Sequence, residues 1–152
     1  MALPNIFDPS TTNDLIHRIN QLTPMTQRRW GKMNVDQMLA HICVPYEQAL
    51  AERNDGPNAI MKIMLRLFFK QSMVNEVPYK QNLPTAPAFM IVDRRDFERE
   101  KSRIISYIQK IEKLGPDYFD GKEQISLGKL NAIQWNNLLY KHIDHHLRQF
   151  GV

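Results

Sequence analysis

The sequence predicts an all-α fold, a helical bundle with one short extra helix and long connecting loops. Three observations point there. Apolar residues recur at helical spacing in four long stretches, two Asn-x-x-Gln patterns (Asn34/Gln37 and Asn131/Gln134) offer capping boxes, and no stretch shows convincing strand alternation. With 152 residues the chain suits a single domain, 1–152, long enough to bury a core without disulfides or a structural metal.

The first helix follows the capping side chains of Asp8-Pro9-Ser10-Thr11-Thr12, with Leu15, Ile16, Ile19 and Leu22 as its apolar stripe up to Pro24. His17 lies off that stripe and is read as solvent-facing. Residues 23–34 connect, carrying Arg28, Arg29, Trp30, Gly31 and Lys32. The second helix starts at Asn34, buries Val35, Met38, Ile42 and Ala49, and sets His41 at the margin of the stripe. Pro45 follows His41 by four residues; it has no N–H for the His41 carbonyl, so a kink and a freed carbonyl are expected there.

Asn54-Asp55-Gly56-Pro57 reads as a turn. The run from Ala59 to Phe69, interrupted by Lys62 and Arg66, reads as a short amphipathic helix with one basic edge, suited to a lid or a subunit interface. From Asn75 to Val92, Pro78, Pro84 and Pro87 with no periodicity predict an extended surface loop. A long charged helix is expected from Asp93, buried through Phe97, Ile104, Ile105, Ile108, Ile111 and Leu114 and stopped by Gly115-Pro116. Residues 116–130 read as a second long connection.

The last helix opens at Asn131 and carries the chemistry. Trp135, Leu138, Leu139, His142, His146 and Gln149 share one stripe, so imidazoles stand where core residues belong. Buried polar groups cost free energy unless they are hydrogen-bonded or hold something. Histidines four residues apart are helical neighbours, and His142-x-x-x-His146 is a metal-type spacing, although no Glu follows the first His as in the zincin protease motif. His41, on a helix the bundle can bring alongside, supplies a third nitrogen. Three protein ligands with an open position are the arrangement of a catalytic metal, whereas structural zinc is usually closed by four. His145, three residues after His142, is read as a flanking residue, with competition as a ligand as the alternative. Gln37 and Gln149, each one turn from a candidate ligand, are candidates to orient imidazoles. No residue stands out as a general base.

A net charge of +4, with acids such as Asp96, Glu98, Glu100 and Glu112 interspersed among the bases, is too weak a footprint to predict a nucleic-acid partner. The single cysteine, Cys43, excludes an intrachain disulfide and cysteine-based zinc sites. Neither a leader-like start nor a membrane-length apolar run is seen, so a cytoplasmic protein with no membrane partner is expected.

Trp30-Gly31-Lys32-Met33, Gln37-Met38-Leu39-Ala40-His41, Trp135, and Lys141-His142-Ile143-Asp144-His145-His146-Leu147-Arg148-Gln149-Phe150-Gly151 together resemble the DinB/YfiT-like superfamily. More narrowly they resemble its branch ending in His-x-x-His-His-x-x-Gln-Phe-Gly, over nearly the whole chain. The resemblance implies an up-down-down-up four-helix bundle holding a divalent metal on His41, His142 and His146, and zinc or nickel is the ion expected there. The resemblance also implies a homodimer, with thiol-cofactor-dependent transferases and isomerases among the relatives; metal chemistry at an open position makes a transferase or hydrolase acting on a small-molecule substrate the expected activity. One segment departs from the branch: Gln124-Ile125-Ser126-Leu127-Gly128 stands where a His-Pro-x-Phe-Gly segment is usual. The contrasting expectation is a non-catalytic binding or interaction module whose histidines form a metal-free polar core.

Overall fold

Each long helix begins where the sequence supplies a start signal. In the computed structural model, which describes residues 2–84 and 89–152, Pro9 occupies the first turn of α1 (Pro9–Asn20). Its preset φ and missing N–H cost nothing there. At α2 (Val35–Ala49), Gln37 Oε1 accepts from the Asn34 backbone N–H at 3.0 Å. At α6 (Ala132–Gln149), Asn131 and Gln134 exchange hydrogen bonds of 2.9 and 3.0 Å, a complete capping box. The long α5 (Phe97–Phe119) starts four residues later than Asp93, because Asp96 is its cap: Asp96 Oδ1 accepts from the Arg99 N–H at 2.8 Å. Asp93 instead pairs with Arg95 at 3.1 Å.

Between α2 and α5 lie α3 (Ala59–Met64), a π-helical turn (Leu65–Phe69) and α4 (Lys70–Val74). The loop expected at 75–92 lies between α4 and α5; Pro87, one of its three prolines, falls outside the described residues.

Two expectations need correction. The backbone of α5 does break at Gly115 (φ +73°), but Pro116–Phe119 resumes a helical turn. The connection after it contains a hairpin of β1 (Glu123–Gln124) and β2 (Gly128–Lys129), with Gln124 opposite Gly128. Strands of two residues carry no periodicity by which a sequence could announce them. Pro45 lies inside its helix, as expected, with α2 running through it from Val35 to Ala49.

Helix α2 packs on α5 and α6, and α1 packs on both of those as well. Leu15 and Ile19 of α1, Met38, Leu39, Ile42 and Tyr46 of α2, Ile104, Ile108 and Ile111 of α5, and Leu139, Ile143 and Leu147 of α6 are wholly buried. Truncating any one of these aliphatic side chains to alanine costs about 2–5 kcal/mol. Cys43 is buried in this core, and burial pushes its thiol pKa up to about 12.

Helix α6 is enclosed on more faces than one apolar stripe predicts, because its polar residues bind main chain that passes over them. Asn136 Oδ1 accepts from the Ile6 N–H at 2.6 Å, and Asn137 Nδ2 donates to the Val74 carbonyl at 2.9 Å. Lys141 Nζ donates to Ser72 O, Asn75 O and Asn75 Oδ1 at 2.8–3.0 Å, so it caps the C-terminal end of α4.

The segment 59–69 is the opposite case. It contains no buried residue, and Ile60, Met61, Ile63, Met64, Leu67, Phe68 and Phe69 are 44–76% exposed. Arg66 of this segment lies 3.6 Å from Glu123 of the hairpin, and Lys70, just beyond the segment, donates to the Lys129 carbonyl. No helix among the described residues is long and apolar enough to cross a membrane.

Candidate metal centre

Helices α2 and α6 bring His41, His142 and His146 together. One ring nitrogen from each lies within 4.8 Å of the others, and the ring centroids are 4.7–4.8 Å apart. Among the described residues this is the only histidine, cysteine or carboxylate group of its kind. The three residues nominated by spacing are therefore the three the fold assembles. His17 stays on the surface, 2.9 Å from Gln21. His145 is half-buried and stands beside the cluster, its ring 5.1 Å from that of His146 and 5.9 Å from both Trp30 and Tyr79.

Hydrogen bonds fix where two of the three imidazoles carry their proton. His41 Nδ1 is 2.8 Å from the Phe89 carbonyl, which can only accept, so Nδ1 bears the hydrogen and Nε2 keeps its lone pair. A longer deduction fixes His146. The Trp30 carbonyl, also an acceptor only, faces the Gln149 Nε2 amide at 2.8 Å, which leaves Gln149 Oε1 to accept from His146 Nδ1 at 2.8 Å. His146 Nε2 is thus a lone-pair donor too. Each ring has its outer nitrogen held by the protein, the arrangement typical of metal-ligating histidine.

His142 differs. Its Nε2 lies 3.0 Å from His41 Nε2, whose lone pair requires that His142 Nε2 carry the hydrogen between them. Its Nδ1 is then a buried acceptor that no partner faces among the described residues. An orphaned buried polar atom costs about 1–3 kcal/mol. Among the described residues no bond compensates for this at Nδ1.

Burial is the largest influence on all these histidines and drives each pKa down from its ordinary value. For His41 the Phe89 carbonyl opposes this; for His142 the neighbouring imidazoles add to it. His146 is pushed down to about 3, with His41 contributing and Gln149 opposing. His145 shifts down less cleanly, because Asp144 favours its charged form. The cluster is therefore neutral at pH 7, the state in which imidazole nitrogen binds a metal ion.

The donor set fits a divalent ion of the borderline-soft kind. Nitrogens on a tetrahedral zinc at about 2.0–2.1 Å stand roughly 3.3 Å from one another. The cluster offers one pair at 3.0 Å and keeps all three within 4.8 Å, so small side-chain rotations suffice. A cleft of about 300 Å³ adjoins the cluster, with Trp30, Tyr79, Tyr140, Lys141, His145 and Arg148 in its walls. None of the three clustered histidines lines it; His145 stands between cleft and cluster.

Of the two glutamines nominated to orient imidazoles, Gln149 does so and Gln37 does not. Gln37 caps Asn34 and donates to the Val92 and Asp93 carbonyls at 3.1 and 3.3 Å, which ties down the stretch just after Phe89. Gln124, at the departure from the branch pattern, is also separate from the cluster. Its Oε1 accepts from the Ser126 and Leu127 N–H groups, and its Nε2 donates to Gln48, so it organises the hairpin. The carbonyls of Trp30 and Phe89 were not foreseen, since a main-chain acceptor has no side-chain signature.

The chain matches no protein-family model, no curated protein and no solved structure.

Proposed function

We propose that the protein is a DinB-like metal-dependent enzyme, an up-down-down-up four-helix bundle that holds zinc or nickel on His41, His142 and His146. The observation that carries this reading is the convergence of three neutral imidazoles within 4.8 Å, two with Nδ1 tied down so that Nε2 faces inward. A divalent ion held by three protein ligands supplies Lewis acidity and lowers the pKa of whatever occupies its open position.

The chain's own residues do the rest. The Phe89 carbonyl and Gln149 hold two rings in the metal-binding tautomer, and the surrounding core keeps bulk water from competing with the donors. The adjoining cleft, with aromatic walls and the polar groups of His145 and Arg148, suits a small-molecule substrate, and transfer or hydrolysis is the reaction class, a small thiol being one candidate co-substrate. We further place the protein in the cytoplasm as a homodimer that covers the exposed face of residues 59–69.

A second reading has its own support. The 3.0 Å contact between His41 and His142 pairs their two Nε2 atoms without any ion, as in a non-catalytic binding module with a polar histidine core. Elemental analysis of untagged protein, purified without added metal, separates the two. About one zinc or nickel per chain, with melting raised by adding that ion, supports the enzyme. A metal-free protein whose melting ignores both ions leaves the polar core as the reading.

A further inference from the structure

We propose that Gly31 is a positioning residue for the three-histidine centre, acting through the Trp30 carbonyl and Gln149. The loop before α2 is docked against the end of α6 at several points. The Arg29 N–H donates to the Gln149 carbonyl at 2.7 Å, Arg29 Nη2 donates to the Gly151 carbonyl at 3.3 Å, and Gln149 Nε2 donates to the Trp30 carbonyl at 2.8 Å. Arg28 Nε holds the carbonyl of Gly31 itself at 2.9 Å.

Two features admit only glycine at position 31. Its φ is +81°, a region that L side chains rarely adopt, and a Cβ built there falls 2.3 Å from Gln149 Nε2. That nitrogen is the atom whose bond to Trp30 fixes the amide orientation, so Gln149 Oε1 points to His146 Nδ1 only while position 31 is bare. A methyl group at Gly31 pushes on the amide and removes the cause of the His146 tautomer without touching a histidine.

The inference rests on the metal reading for one of its two measurements only. The first is imidazole ¹⁵N chemical shifts of the metal-free protein near pH 8. Wild type is expected to show His146 as a single Nδ1–H tautomer, whereas Gly31→Ala and Gln149→Ala each show a mixture. Gly115→Ala is the matched control, because Gly115 has φ +73° but nothing within 4 Å of its Cβ position; it is expected to match wild type.

The second is Zn²⁺ titration. Gly31→Ala and Gln149→Ala are each expected to weaken binding about ten- to hundredfold, the effect of losing a partner to a ligand histidine. Because both act on one link, the double variant should bind no more weakly than the weaker single variant. A single His146 tautomer in Gly31→Ala, wild-type affinity in that variant, or additive losses in the double variant overturns the proposal. Should Gly31→Ala fail to fold, Gln149→Ala decides: wild-type affinity and tautomer sink the link, and loss of both supports it. Wild-type protein that binds no Zn²⁺ contradicts the metal reading alone, and the ¹⁵N shifts still read the link.

Discussion

The Nε2 atoms of His41 and His142 face each other at 3.0 Å across 101 residues of sequence. Since the Phe89 carbonyl holds the His41 proton on Nδ1, the single hydrogen between the rings belongs to His142. An ion entering the cluster must displace it. His142 is therefore expected to change tautomer from Nε2–H to Nδ1–H on metal binding, while His41 and His146 keep theirs. Imidazole ¹⁵N shifts recorded with and without Zn²⁺ check this, and an unchanged His142 rules it out.

Removing a ligand should cost more than removing its support. His146→Ala is expected to weaken Zn²⁺ or Ni²⁺ binding by more than about a hundredfold, beyond the range for lost supporting hydrogen bonds. His17→Ala, on the surface and paired with Gln21, should change neither affinity nor melting. Equal affinity in the two variants contradicts the ligand assignment.

Acid should destabilise the metal-free protein through the same three rings. Their folded-state pKa values lie below the ordinary 6.5, so above pH 6.5 neither folded nor unfolded chain protonates them. As pH falls below 6.5 the unfolded chain takes up protons that the folded cluster refuses, and stability drops until the folded values are reached, about 3 for His146. Each imidazole contributes up to about 1.4 kcal/mol per pH unit in that window. Urea midpoints at pH 7.5 and 5.5 measure it, and His146→Ala should show a shallower loss.

Lys141 fastens the end of α4 to α6 with three hydrogen bonds. Lys141→Met keeps most of the apolar stem but leaves the Ser72 and Asn75 acceptors without their donor, for a loss of about 1–3 kcal/mol. Hydrogen exchange should rise first in residues 70–75. Uniform loosening of the whole chain would argue instead that α4 and the core unfold together.

Two exposed residues test the assembly. Leu67→Glu with Phe68→Glu places charge on a face that is 71% and 66% exposed at those positions, so folding should be unaffected. Sedimentation is expected to show a dimer for wild type and a monomer for the variant. A monomeric wild type removes the homodimer from the proposal.

The helices and the cluster were readable because side-chain identity dictates them. Asn-x-x-Gln at 34 and 131 marks two starts, aliphatic spacing marks the buried faces of α1, α2 and α5, and His41, His142 and His146 have no apolar reason to stand where they do. What the sequence hides is decided by the main chain. Phe89 and Trp30 matter through their carbonyls, which every residue possesses, and the hairpin is too short to show a period. Asn136, Asn137 and Lys141 lie off the stripe named for α6, yet they are buried because segments distant in sequence lie across them.

Cys43 offers a clock for the motions of this core. As the sole thiol, buried and with its pKa raised to about 12, it reacts with an alkylating reagent only when α2 opens, so its labelling rate reports that opening free energy directly. Two residues from His41, it would slow measurably on binding an ion that clamps α2 to α6. A second cysteine placed on the surface would take a fluorescent or spin label alone, leaving the interior thiol silent.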